Sequence, residues 1–406
     1  MDISQVRAVV EVARWLGPWA SPEAAPGGIE RRVGFARSPS GRDVEVHHYA
    51  PRGRAVDRAW FVVPGLHFLG PHDPRFERLC RVLAASGAAV LAPCLEDLMA
   101  QEVLPSVLED AEAALVGWLD GGLREGGLRE GDLRGGEPRE GEPRQGELAG
   151  ERAGGAGTSW RRLAPGVHPA LFSISFGSLV ALRLASLPAL AGRLRLAVIF
   201  GGYADPWRSI RFAVTGEVDG GRRLPFDVLN LPAVMLNLLD TLPAPPEQPD
   251  AVRAALRRYM RQTWGHMELR DSGHWRVVAR RNLAGLGAHD AALVRVGTGL
   301  EPGIDALADH AFRVCPSRMA VLDPGPFIEA LHTPVVAIHG RADDVLPYTE
   351  AERLVRLAGR RVPATLLLTG LYAHTAAGGV EHAGWAARLE EYRTLWRMLR
   401  VLARGA

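Results

Sequence analysis

The stretch His168-Pro-Ala-Leu-Phe-Ser-Ile-Ser-Phe-Gly-Ser-Leu-Val-Ala-Leu-Arg-Leu-Ala185 decides how this chain folds. A short apolar run, residues 170–174, breaks at Ser175, and a helical pattern begins two residues later at Gly177. A strand that turns into a helix so abruptly forces the turn residue into a strained backbone, and only small side chains fit two positions before and two after it. Ser173 and Gly177 meet that demand around Ser175. Were Ser173 the turn residue, Leu171 would fill the cramped upstream position, so the size rule selects Ser175.

Two further segments read as buried parallel strands with polar residues at their ends. Thr333-Pro-Val-Val-Ala-Ile-His-Gly-Arg-Ala-Asp-Asp-Val-Leu-Pro347 closes on Gly340, with Asp343, Asp344 and Pro347 beyond it. Ala364-Thr-Leu-Leu-Leu-Thr-Gly-Leu-Tyr-Ala-His374 places a histidine just past the next strand. With the serine turn upstream, the chain resembles the α/β-hydrolase family, whose serine turn, the nucleophile elbow, usually reads G-x-S-x-G and here carries Ser173 in place of the first glycine. The resemblance implies a triad of Ser175 as nucleophile, Asp343 on the G-x-x-D-x-x-x-P acid loop, and His374 as base. Asp205, at the end of the preceding strand, occupies a place that some relatives use for the acid.

Those residue types are needed together. A serine hydroxyl is a weak nucleophile until an imidazole takes its proton, and the imidazole needs a carboxylate to fix its tautomer and stabilise the imidazolium. The resemblance also implies an oxyanion hole from two backbone N–H groups, that of Phe176 after the nucleophile and that of Leu66 in Ala59-Trp-Phe-Val-Val-Pro-Gly-Leu66, where Pro64 stands in for the usual histidine. His67 and His72 follow closely and are expected to line the pocket. His266, His274, His289, His310 and His332 show no metal-ligand spacing, so neither metal nor cofactor is expected.

Composition narrows the remaining classes. At 406 residues and 47% hydrophobic content, the chain holds enough apolar surface for one domain of about 250 residues with additions. The 48 basic residues, all arginine, are interspersed with 46 acidic ones and form no basic stripe, which argues against a nucleic-acid partner. Three widely spaced cysteines, Cys80, Cys94 and Cys315, argue against a disulfide framework and fit a reducing, cytoplasmic location. The first residues lack a basic start, so no signal peptide is expected, and no window of about 18 uncharged apolar residues predicts a transmembrane segment.

The chain divides into an N-terminal helix over 1–28, a first core segment over 29–205, a helical lid over 206–331 and a second core segment over 332–406. A hairpin is predicted at 29–37 and 44–50, then strands at 60–63 and 88–92 alternating with helices at 75–86 and 105–120, the mark of a mostly parallel α/β sheet. Residues 121–157 form a five-residue repeat with glycine at every fifth position, which cannot bury a core and reads as a disordered low-complexity insertion. In the lid, Trp207, Phe212, Tyr259, Trp264 and Trp275 are candidate pocket walls.

The expectation is a serine hydrolase that cleaves a small-molecule carboxylic ester through an acyl-enzyme on Ser175. Two alternatives stay open: an acyltransferase or thioesterase on the same triad, and a non-catalytic scaffold of the same fold.

Overall fold

A computed structural model of the chain describes residues 3–16, 21, 23–54, 56–126, 158–370 and 385–404. Among them, nine strands form one sheet in the order β5-β1-β2-β4-β3-β6-β7-β8-β9. Strands β1 (Ile29–Arg37) and β2 (Asp43–Pro51) make the expected antiparallel hairpin. β2 then pairs antiparallel with β4 (Ala88–Pro93). From β4 onward the sheet is parallel, through β3 (Arg58–Val63), β6 (Pro169–Ile174), β7 (Ala197–Phe200), β8 (Val335–Gly340) and β9 (Ala364–Thr369).

The parallel strands are uniformly apolar because both faces are covered. β4 and β8 are buried along their whole length. One face packs against the helices Pro105–Asp120 and Gly177–Ser186, whose Leu115, Trp118, Leu179 and Leu182 join Phe61, Leu171 and Ile199 in one core. The other is covered by Ile3–Leu16, Pro74–Ala85 and Trp385–Arg404, through Val9, Val12, Cys80, Leu83 and Leu399. In the first helix Val9 and Val12 are buried, whereas Val6 and Val10 face solvent.

The repeat is partly incorporated into the sheet. Arg124 and Glu125 form β5, which pairs with Phe35 and Gly34 of β1, and Leu123 is buried. Leu123 packs over Gly117 of the Pro105–Asp120 helix while the backbone of Arg124 and Glu125 covers the edge of β1, a local opportunity that compositional reasoning overlooks. Residues 127–157 lie outside the described residues. The ring of Trp160 fills the space left by Gly34, and its carbonyl accepts from Trp118 Nε1 at 3.2 Å.

Between β7 and β8, over residues 206–331, the regular elements are helical, the longest being Pro249–Thr263 and Ile304–Val314. Hydrogen bonds and ion pairs fasten this segment to the sheet strands and their loops, among them the Tyr203 hydroxyl donating to the Leu322 carbonyl at 2.7 Å. Asn237 accepts from the Val103 N–H and donates to the Gln101 carbonyl, both at 2.9 Å. Asp227 donates its N–H to the Asp344 carbonyl at 2.8 Å, and Arg270 Nη1 lies 2.6 Å from Asp344 Oδ2.

Candidate functional site

Ser175 joins β6 to the helix Gly177–Ser186 with φ +52°, in the left-handed region that a non-glycine residue enters only at a cost of roughly 1–2 kcal/mol. Hydrogen bonds hold it there: its N–H donates to the Phe200 carbonyl at 2.9 Å, and its own carbonyl accepts from the Ser178 N–H at 2.9 Å. A side chain at Gly177 would run into the Pro64 carbonyl oxygen, which explains the glycine. Ser173, in the position where glycine is usual, is fully buried and places its hydroxyl 3.4 Å from the Val198 carbonyl oxygen, a long hydrogen bond that accommodates the extra polar atom.

The loop after β3 closes on this turn. A Cβ at Gly65 would stand 3.1 Å from the Ile174 carbonyl oxygen and 3.4 Å from Ser175 Cβ, so the Pro64-Gly65-Leu66 backbone lies directly against the serine. Ser175, Phe176 and Leu66 all border one cavity of about 570 Å³. Among the described residues, neither the Leu66 nor the Phe176 N–H is engaged in a hydrogen bond. Most of the cavity wall is apolar, including Ile210, Leu229, Val234, Leu322 and Leu346.

Asp343 follows β8 and is buried. Its Oδ1 accepts from the N–H groups of Val345 and Leu346, both at 2.9 Å, which fixes the carboxylate plane. Oδ2 lies 3.2 Å from Nε2 of His339, a fully buried histidine whose Nε2 is also 2.9 Å from the Leu346 carbonyl oxygen. The carbonyl can only accept, so Nε2 carries the proton. Sequence reasoning overlooked His339, because one polar residue in an apolar strand gives no signal of what it will meet. Asp205 is differently employed: it caps the helix Pro206–Thr215 by accepting from the Arg208 N–H at 3.2 Å, and it pairs with Arg208 and Arg353. His374 lies outside the described residues.

The two histidines of the β3 loop part company. His67 borders the cavity, stacked on Phe68 and Trp264 with ring centroids 4.4 and 5.9 Å away, and its Nδ1 is 3.5 Å from Asp73 Oδ2. Burial lowers its pKa, against the pull of Asp73, which keeps the imidazole neutral near pH 7. Asp73 is itself pushed up by burial, but its hydrogen bonds and ion pair with Arg75 outweigh that and leave it below the usual range. His72 is absent from the cavity wall among the described residues and sits instead beside Glu45, His47 and Cys94.

Of the five aromatic residues expected as walls, Trp264 alone borders the cavity, with its Nε1 donating to the Leu229 carbonyl at 2.8 Å. Phe212, Tyr259 and Trp275 are buried within the helical segment, and Trp207 packs edge-on against Phe312 at 5.0 Å. These helices have a core of their own to fill, and large aromatic side chains are the means of filling it.

No protein-family model matches the chain. No curated protein matches it either. Among solved structures, the chain is similar to brefeldin A esterase, a bacterial homologue of human hormone-sensitive lipase, at 14% identity over 99% of this chain and 86% of that one, with a TM-score of 0.46. It is also similar to a dienelactone hydrolase of Klebsiella pneumoniae, at 12% identity over 93% and 99% of the two chains with a TM-score of 0.41. A third similarity is to Pyrococcus horikoshii acylaminoacyl peptidase, at 10% identity over 93% of this chain with a TM-score of 0.45. The match spans 41% of that peptidase's length. The strand order, the antiparallel entry followed by parallel strands, and a serine in left-handed conformation between β6 and its helix together are the α/β-hydrolase fold.

Proposed function

We propose that the chain is a serine hydrolase of carboxylic esters, with Ser175 as nucleophile, His374 as general base and Asp343 as the carboxylate that orients it. The observation that carries this reading is Ser175 itself, held at φ +52° on the floor of a largely apolar cavity and beside a loop backbone with an unengaged N–H. Strain of this kind persists where the surrounding structure imposes it, and exposure of a hydroxyl to a pocket is its use here.

In the proposed reaction Ser175 Oγ attacks the ester carbonyl carbon while its proton passes to the imidazole of His374. The negative charge that forms on the carbonyl oxygen is met by the N–H groups of Leu66 and Phe176. The carbon–oxygen bond to the leaving group then breaks, the imidazolium returns the proton to the departing alkoxide, and an acyl-enzyme remains on Ser175. Water repeats the sequence and releases the acid. Residues 206–331 act as a lid over the cavity, the apolar walls favour medium or longer acyl groups, and three free thiols accord with a reducing, cytoplasmic setting.

A fluorophosphonate probe together with p-nitrophenyl esters from acetate to palmitate tests the proposal. An adduct on Ser175 and a preference for medium or long chains are expected. Turnover confined to acetate contradicts the apolar acyl pocket, whereas no adduct and no turnover at any length leave a non-catalytic scaffold.

A further inference from the structure

A second cluster lies away from the serine. β2 alternates its side chains across the sheet, so Glu45 and His47 share one face. The antiparallel register that sets Val46 opposite Pro93 brings the next residue, Cys94, beside Glu45, and the Cys94 N–H donates to the Glu45 carbonyl at 2.8 Å. His72 ends the short 3-10 turn Gly70–His72, six residues beyond Leu66. Three separate segments thus converge on one point.

Their donor atoms do as well. Cys94 Sγ is 3.7 Å from Glu45 Oε1, 3.7 Å from His47 Nε2 and 4.0 Å from His72 Nε2. Glu45 Oε1 is 2.8 Å from His47 Nε2 and 3.8 Å from His72 Nε2. All four donors lie within 4.8 Å of one another. Bonds of about 2.0–2.3 Å arranged tetrahedrally place ligand atoms roughly 3.3–3.8 Å apart, so the observed spacings need shifts of only about 1 Å.

We propose that Glu45, His47, His72 and Cys94 bind one tetrahedral divalent transition-metal ion, which pins the far end of the Leu66 loop to the sheet. One thiolate, two imidazoles and one carboxylate are a donor set that favours zinc over magnesium or calcium. The two anionic ligands balance the ion's charge, with the thiol proton released to solvent on binding. His47 and Cys94 form a buried back wall, while the His72 side chain, 46% exposed, leaves a mouth through which an ion enters. Arg31, with Nη2 3.2 Å from both ring nitrogens of His47, withdraws as the ion arrives. None of the four borders the cavity among the described residues, so the ion is structural and not the activator of a nucleophile.

The test uses the full chain after chelator treatment, titrated with cobalt(II) and read by absorption. The expected result is tetrahedral visible bands and a thiolate-to-cobalt charge-transfer band that saturate at one equivalent and vanish when zinc is added. Cys94→Ser should abolish the charge-transfer band, and Cys315→Ser should leave it unchanged. His72→Ala, at a side chain that is 46% exposed, should weaken cobalt binding at least about tenfold, since loss of mere outer-shell partners costs that much. At one fixed zinc concentration the melting temperature should rise more in the wild type than in His72→Ala. Absence of the charge-transfer band in the wild type, or wild-type affinity in His72→Ala, overturns the proposal.

Discussion

At the scale of the residue, Ser175 combines two demands that a single substitution can separate. Alanine keeps the small size but removes the attacking oxygen, so Ser175→Ala should lose ester hydrolysis while retaining the fold. Glycine removes the oxygen and also relieves the left-handed backbone at φ +52°. Ser175→Gly should therefore be equally inactive yet more stable than Ser175→Ala by about 1 kcal/mol, measurable as a higher denaturation midpoint. Equal midpoints would mean that the turn stores no strain. Asp343 and Asp205 are separated in the same way. On the proposed mechanism Asp343→Asn mis-sets the histidine and lowers kcat by about 10⁴, while Asp205→Asn, which touches a helix cap, chiefly affects stability. Ester kinetics on the two variants checks this, and the reverse pattern would transfer the role to Asp205.

What was legible at this scale is what a sequence states locally. Ser175 declares itself through its small neighbours, and Asp343 through Gly340 and Pro347. His339 and the Glu45, His47, His72 and Cys94 cluster do not, because their meaning lies in partners brought together by strand register and loop return. The aromatic residues failed as pocket markers for a related reason. Helical periodicity says that Phe212, Tyr259 and Trp275 are inward-facing, but the inside of the helical segment and the wall of the cavity look alike from one chain.

At the scale of the element, the chain after β7 is held by a side chain from a distant helix. Glu350, near the start of Tyr348–Ala358, is buried, and its Oε2 accepts from the N–H groups of Ala204 and Asp205 at 3.0 and 2.8 Å. Burial raises its pKa above the ordinary 4.5, and the two backbone hydrogen bonds only partly offset that. A carboxyl with a raised folded pKa contributes fully to stability below its unfolded value, and the contribution is lost as pH rises through the folded one. Glu350→Gln keeps an acceptor oxygen without the charge. Relative to this variant the wild type should lose stability over the pH window that opens above the unfolded value of about 4.3, as read from urea midpoints. A constant difference across that window would mean that Glu350 does not titrate on folding. The strands and most helices, by contrast, follow from the apolar periodicity of their own residues.

At the scale of the whole molecule, the repeat was recognisable by composition, but its boundary was not. Gly126 donates to the Val33 carbonyl at 3.0 Å and Trp160 packs on Gly34, so both ends of residues 127–157 are anchored beside the same strand. Loop-closure cost grows only with the logarithm of length. Replacing 127–157 with a short Gly/Ser linker should therefore change stability by no more than about 1 kcal/mol and leave ester turnover intact, whereas extending the deletion back through Leu123 should cost more. Thermal and chemical denaturation of the two deletions make the comparison.

The Arg270 bridge has a consequence for how substrate enters. Its partner Asp344 is the neighbour of Asp343, and the Asp227 backbone is bonded to the same residue, so the helical segment and the acid loop form one mechanical unit. On the proposed mechanism the cavity cannot gape on this side without slackening the carboxylate that orients the base. Admission of substrate and readiness for chemistry then alternate like the two positions of a turnstile. Because the arginine is partly exposed, added salt screens the bond that sets the turnstile's stiffness. Higher ionic strength should speed the capture of bulky esters while slowing each chemical step, and a small ester that slips past the barrier should register only the second effect.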